Sequence, residues 1–150
     1  AWKAAGRVRH IGITTSHGRR HQELERALAK EPFDFVQFTY NLADRDVEQR
    51  LLPLAAERGI AVIINRPFDG GALFGPVRGK PLPAWAAEFD CTNWAQFFLK
   101  FIVSHPAVTC AIPATSRITH MQKNMGAGFG RLPDAETRQR MFAYYANLAR

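Results

Sequence analysis

The feature that most limits the fold of this chain is a fourfold alternation of short apolar runs with helix-periodic segments. The runs are "VRHIGIT" from Val8 to Thr14, "FDFVQFTY" from Phe33 to Tyr40, "IAVIIN" from Ile60 to Asn65, and "AVTCAIPA" from Ala107 to Ala114. Amphipathic stretches lie between them. In "RHQELERALAK" the residues Leu24, Ala27 and Leu28 share a helical face, and in "DVEQRLLPLAAERG" so do Val47, Leu51, Leu54 and Ala55. Asp46 is a candidate N-cap of that second helix and Gly59 a candidate C-cap. Pro53 inside it implies a kink or a late start. A Gly- and Pro-rich loop runs from Pro67 to Pro83, followed by a short helix around Trp85. "NWAQFFLKFIVS", "ITHMQKNMGAG" and "DAETRQRMFAYYANLA" read as further helices, the last capped by Asp134. Trp94, Phe97, Phe98 and Phe101 are spaced for a core.

Near-continuous apolar strands alternating with helices imply a parallel sheet with helices packed on it, an α/β architecture. A closed (β/α)8 TIM barrel typically takes about 250 residues. This chain has 150 residues, one domain's worth over 1–150, and four strand–helix units plus C-terminal helices. That leaves half of a (β/α)8 barrel or a small open α/β sheet. No GxGxxG follows the first strand, so the fingerprint of a doubly wound dinucleotide-binding fold is missing. Cutting a barrel between strands leaves two open edges. Such a chain calls for a partner, either the missing N-terminal half-barrel or a second copy of itself.

Composition removes several function classes. The net charge is +7, but the basic residues are spread along the chain without an aromatic-interleaved basic motif, which argues against nucleic acid. No apolar run approaches the roughly 20 residues that cross a membrane. Cys91 and Cys110 lack metal-ligand spacing and read as free thiols of a reducing, cytoplasmic setting. His17 and His21 stand four apart, as two zinc ligands on one helix would, but no third ligand is close in sequence. No metal is expected, and the segment reads as a solvated loop and helix start. The opening "AWKAAGRVRHIG" has no initiator Met or signal pattern and looks like a start inside a domain.

In parallel α/β folds, chemistry collects at the C-terminal ends of the strands. Here all four ends carry polar side chains: Thr14, Thr15, Ser16 and His17; then Gln37, Thr39, Tyr40 and Asn41; then Asn65 and Arg66; then Thr115, Ser116 and Arg117. Four such ends on one side form a candidate ligand face. The last is the most specific. Thr115, Ser116 and a helix N-terminus can present hydroxyl and N–H groups to a phosphate, and Arg117 can add a bidentate clamp.

These segments resemble the aldo-keto reductases, NAD(P)H-dependent enzymes on a (β/α)8 barrel. "GRVRHIGIT" is similar to the family's "GKVRYIGVSN", and "FVQFTYNLADRDVEQRLLPLAAERGIAVI" to its "VNQVEYNLLDRDVE…LLPLCRERGIGVI". "RPFDGGALFG" stands where "SPLGGGLLTG" usually stands, and "SHPAVTCAIPATSRITHMQKN" resembles "SHPAVTSVIPGTSRPEHLEEN". The likeness runs along essentially the whole chain and matches the C-terminal half of the barrel. It implies an NADP(H)-dependent oxidoreductase acting on a small carbonyl substrate, with this chain as the cofactor half. The family's catalytic Asp, Tyr, Lys and His belong to the other half, so no catalytic residue is assigned here, and neither Tyr40 nor His10 takes such a role. The alternative is a catalytically silent half-barrel that binds or assembles.

Carried over position by position, the resemblance puts Thr14 and Thr15 where Ser-Asn holds the nicotinamide carboxamide, and Gln37 on the amide-binding Gln. Asn65 falls where an aromatic side chain often stacks on the nicotinamide, and Arg66 on the following Ser. An amide cannot provide that shelf, whereas a guanidinium can lie over a ring or attract an anionic group. Phe68, Gly70, Gly71 and Leu73 match the loop that wraps the pyrophosphate. Thr115, Ser116 and Arg117 match the segment that reads the 2′-phosphate, and Asn124 an adenine contact. Arg117 favours NADP over NAD.

Overall fold

A computed structural model describes residues 2–16 and 20–150; His17 of the two-histidine motif lies outside them. The four strands are β1 (Gly12–Thr14), β2 (Phe35–Thr39), β3 (Ala61–Asn65) and β4 (Cys110–Ala111). They form one sheet in the order β1-β2-β3-β4, every neighbouring pair parallel. Sequential parallel neighbours with a crossover between each pair are the arrangement of a (β/α)8 barrel, here present as four strands.

Two strands are shorter than the apolar runs suggest. Residues before Gly12 leave the sheet, and the chain there is tied instead by Asp34, which accepts from the Ile11 N–H at 2.8 Å and pairs with Lys3 at 2.6 Å. Gly12 allows the close approach of β1 to β2: a Cβ there would stand 2.9 Å from the Phe35 carbonyl oxygen. At β4 only two residues pair fully, extended by the Thr109 N–H donating to the Val62 carbonyl and the Ile112 N–H to the Ile64 carbonyl. Among the described residues, β4 has no neighbour on its far side.

The helices are α1 (His21–Lys30), α2 (Leu51–Glu57), α3 (Trp94–Val103), α4 (Ile118–Met125) and α5 (Ala135–Leu148). The stretch from Asp46 is not one helix. It makes a 3-10 turn, Asp46–Glu48, and only then α2, so Asp46 does not cap it. Pro53 therefore falls in the first turn of α2, where its missing N–H costs nothing. The C-terminus closes as expected at Gly59, with φ +64°. The Gly59 N–H donates to the Ala56 carbonyl and the Ile60 N–H to the Ala55 carbonyl, a Schellman closure. Asn93 caps α3 through the Gln96 N–H, and Asp134 caps α5 through the Thr137 N–H.

Strand alternation sorts the core. Val36, Phe38, Tyr40, Val62 and Ile64 point to the helix layer and are fully buried against Leu28, Leu52, Phe97, Phe101 and Ile102. Burying each such side chain contributes about 1.5–3 kcal/mol. The alternate residues Gly12, Thr14, Phe35, Gln37, Ala61, Ile63 and Cys110 line the other sheet face, which is only partly covered. A second uncovered surface lies on α4. Ile118, Met121 and Met125 share one side of that helix and are 78%, 43% and 59% exposed.

Tyr40 belongs to the helix layer. Its hydroxyl donates to Glu48 and accepts from Arg138, and Arg45 closes on the other Glu48 oxygen at 2.5 Å. Burial, with the Glu48 hydrogen bond, pushes the Tyr40 phenol well above its ordinary pKa. Burial also works to raise Glu48, but the Arg45 and Tyr40 hydrogen bonds outweigh it and hold the carboxyl below its usual range. This network joins the β2–α2 connection to α5. Lys100, on α3, is likewise buried, and its ammonium donates to the Phe129 and Arg131 carbonyls at 2.7 and 2.8 Å.

Candidate functional site

The C-terminal ends of β1, β2 and β3 are laced together by side chains. Thr39 Oγ1 donates to Asn65 Oδ1 at 2.8 Å, and Asn65 Nδ2 donates to the Thr15 carbonyl at 2.9 Å. Both ends of the Asn65 amide are thus engaged, and the residue is buried. Asn41, fully buried, donates to the Arg66 carbonyl at 3.1 Å and accepts the Ala43 and Asp44 N–H groups at 2.9 Å each.

Immediately after β3 the backbone turns sharply. Arg66 and Asp69 have φ +48°, Gly70 +64° and Gly71 +100°. A non-glycine residue in the left-handed region costs on the order of 1–3 kcal/mol, and such strain concentrates at ligand-binding loops. The turn is held by Asn41 on the Arg66 carbonyl and by the Arg66 guanidinium on Asp69 at 3.0 Å. Arg66 stays at the strand ends, about one-third exposed, rather than reaching into bulk solvent.

Two adjoining hollows follow from this geometry. One, of about 390 Å³, is walled by Arg66, Pro67, Phe68, Gly70, Gly71 and the β4 exit at Ile112 to Ala114. The other, of about 350 Å³, lies between the rings of Phe68, Phe74 and Trp94 on one side and Thr115, His120, Lys123 and Asn124 on the other. Phe68 and Ala114 belong to both, so the hollows form one cleft across the ends of β3 and β4. Glycine matters at its near end. A Cβ on Gly71 would meet nothing within 4 Å and would project into open space, on a backbone that side chains rarely adopt.

The sequence-derived candidates separate into three groups. Arg66, Phe68, Gly70, Gly71, Thr115 and Asn124 line the cleft. Thr14, Thr15, Gln37 and Asn65 lie along the neighbouring strand-end rim, with the Thr15 N–H donating to the Gln37 carbonyl at 2.9 Å. Leu73, Ser116 and Arg117 lie outside both walls. Leu73 is 1% exposed, packed in the core, with its carbonyl accepting the Tyr145 hydroxyl. Ser116 and Arg117 are exposed where the chain enters α4, and the Thr115 hydroxyl accepts the Arg117 N–H. The sequence reading took Trp94 as core and assigned no role to His120 or Lys123. The signal for the last two was the i, i+3, i+4 spacing of His120, Lys123 and Asn124, which puts them on one face of α4.

The cleft has the size and mixed lining of a small-molecule site. Its cationic and aromatic walls suit an anion joined to a planar ring system. Among the described residues, no group of three or more His, Cys, Asp or Glu is placed to hold a metal ion. No helix among them is long and apolar enough to cross a membrane. Cys91 and Cys110 are both free thiols.

Known proteins agree with this architecture. An uncharacterized oxidoreductase of Schizosaccharomyces pombe is 31% identical over 127 residues, which cover 85% of this chain and 39% of that protein. A probable aldo-keto reductase of Glycine max is 26% identical over 162 residues, 89% of this chain and 45% of that protein. In structure, the holo form of an aldo-keto reductase from Bacillus halodurans matches with a TM-score of 0.73 at 22% identity, over 96% of this chain and 52% of that one. An aldo/keto reductase from Klebsiella pneumoniae, in complex with NADP and acetate, matches with a TM-score of 0.69 at 23% identity, over 96% of this chain and 50% of that one. The chain spans about half the length of these proteins. The model of the aldo/keto reductase family matches residues 1–140, and the chain belongs to that family.

Proposed function

We propose that this chain is the cofactor-binding half of an NADP(H)-dependent aldo-keto reductase. The complete enzyme transfers a hydride between NADPH and the carbonyl carbon of a small substrate. The observation that carries this reading is the cleft across the ends of β3 and β4, with a guanidinium and two glycines at one end and three aromatic rings at the other. When bound, the nicotinamide cofactor supplies the hydride. Everything else assigned to this chain is binding and orientation.

Arg66 neutralises diphosphate charge, and Gly70 and Gly71 let that group approach the backbone. Phe68 forms the floor common to both hollows. Thr14, Thr15 and Gln37 offer hydroxyl and amide groups to the nicotinamide carboxamide, and Asn65 fixes the rim they stand on. Thr115 and Asn124 border the adenosine end, with Ser116 and Arg117 at the approach to α4. Leu73 supports the loop from the core. The proton-donating residues come from a complementary N-terminal half-barrel, which pairs with the open strand edges and covers the uncovered sheet face. The Klebsiella protein with bound NADP supports the choice of cofactor.

Fluorescence titration with NADPH tests the reading, because Trp94 lines the cleft. Saturable quenching is expected, and reduction of a simple aldehyde only when the complementary half is supplied. Turnover by the 150-residue chain alone would refute the division of labour. Absence of NADPH binding even with the other half present would refute the cofactor assignment.

A further inference from the structure

We propose that two copies of this chain close on each other through their open sheet edges, β4 of each against the run that leads into β1 of the other. The product is an eight-stranded barrel about a two-fold axis. The inference goes beyond the cofactor reading above and does not rest on it.

Surface area gives the first reason. The chain exposes 9074 Å². A compact monomer of 16.9 kDa carries about 7,700 Å². The excess of about 1,400 Å² is larger than the roughly 800 Å² that each partner contributes to a standard interface.

The apolar part of that surface gathers beside β4. Ile112, where the chain leaves the strand, is 46% exposed, and the stripe of Ile118, Met121 and Met125 on α4 follows directly. Of the residues of α4 only Asn124 is buried. A helix whose apolar side meets water lacks the layer that would cover it. In a closed barrel the helix after a strand packs over the seam to the next strand, so this stripe marks the seam beyond β4.

Register identifies the strand that fills the seam. Thr14 pairs with Gln37, Gln37 with Ile63 and Ile63 with Cys110, so these four lie level across the sheet. An eight-stranded barrel returns to its first strand displaced by about eight residues, which is about four at each of two equivalent seams. Counted back from Thr14, Cys110 of one copy falls opposite His10 of the second. The opposite displacement would run past the end of β1 at Thr14. His10 lies in the strand-like run Val8 to Ile11, most of which has no sheet partner among the described residues. Its ring meets Phe35 edge-on at 5.7 Å, on the sheet face that Cys110 also lines. The second copy thus supplies what each edge lacks, and its two seams leave no edge open.

The test is sedimentation of the full chain over a roughly hundredfold range of micromolar concentration, at an ionic strength that screens charge beyond about 8 Å, because each copy carries +7. A species of twice the chain mass is expected. Met121→Glu should weaken it roughly a hundredfold, since the two-fold buries that side chain twice. Circular dichroism checks that the variant is folded, and Met125→Glu serves if it is not. His10→Cys should give a covalent dimer through Cys110 on mild oxidation, because paired strands lie about 4.8 Å apart, within disulfide reach. Wild type, and Arg9→Cys on the opposite face, should give none. A monomer throughout, or one that associates only with an added N-terminal half-barrel, would overturn the second copy as occupant. An open series of oligomers would refute the two-fold closure. A dimer that ignores Met121→Glu and is not linked by His10→Cys would place the contact elsewhere and overturn the proposal. NADPH titration of the same samples reads the cofactor site independently, so either reading can fail alone.

Discussion

The Asn41 side-chain amide donates to the carbonyl of Arg66 at 3.1 Å, fixing a left-handed arginine at the mouth of the cleft. The same amide accepts two backbone N–H groups of its own loop. One buried side chain therefore sets the exit geometry of β2 and β3 together.

Replacing it tests that coupling. Asn41→Ala removes three hydrogen bonds from a fully buried site. A loss of about 2–4 kcal/mol in urea unfolding is expected. At denaturant-free conditions, where the variant is still folded, nucleotide affinity should also fall, because Arg66 is no longer held at the cleft. A variant that is as stable as wild type would show that the loop keeps its own shape.

Asn65 makes the analogous tie across β1, β2 and β3. Asn65→Leu keeps the bulk but leaves the Thr39 hydroxyl without this acceptor and the Thr15 carbonyl without its donor. About 1–3 kcal/mol of destabilisation is expected in thermal or chemical unfolding. Asn65→Asp, which retains the acceptor for Thr39 but points an oxygen at the Thr15 carbonyl, should be at least as damaging at neutral pH.

Glu48 predicts an acid limb to stability. Its folded pKa lies below the unfolded value, so the unfolded chain binds the proton more readily. The stabilisation is complete above the unfolded value of roughly 4.3 and is lost as pH falls through the folded one. Glu48→Gln should cost about 2 kcal/mol at pH 7 and flatten the stability profile below pH of about 4.5. Tyr40 works in the opposite sense. Its raised pKa gives stability that is full below about pH 10 and declines as pH rises through the folded value. Unfolding curves collected from acid to alkaline pH check both signs; a Glu48→Gln profile parallel to wild type in acid would show that the network adds no pH dependence.

Gly130 tests steric necessity. Its φ is +73°, and a Cβ there would stand 2.7 Å from Asp90 Oδ2, which also accepts the Arg131 backbone N–H. Gly130→Ala should lower the melting temperature more than Gly79→Ala, where φ is +72° but nothing lies within 4 Å. The second change isolates the backbone strain of about 1 kcal/mol; equal shifts would mean that Asp90 moves aside freely.

Much of the fold was legible in sequence because its signals are local. The apolar runs announced β2 and β3 almost to their boundaries, and Gly59 and Asp134 closed and opened their helices as their chemistry dictates. Edge strands were less legible. Val8 and Ala107 begin runs that look like strand, but a strand extends only as far as its neighbour offers partners, and among the described residues β1 and β4 each have one neighbour. The Asp46 segment misled because an acidic residue ahead of a helical face suggests a cap, whereas here the chain first spends a turn placing Glu48 against Arg45 and Tyr40. In the site, Arg66 stood out as a polar residue at the end of an apolar strand, whereas the loop glycines were singled out only through the family resemblance. The cross-strand hold of Asn65, and the position of Arg117 outside the cleft, depend on which way side chains face after packing, which one-dimensional order does not carry.

Helix α4 has two occupations at once. One side, with His120, Lys123 and Asn124, is a wall of the cleft; the other, with Ile118, Met121 and Met125, is an apolar surface open to water. Both sides belong to the same eight residues, so the helix cannot shift to suit one surface without moving the other.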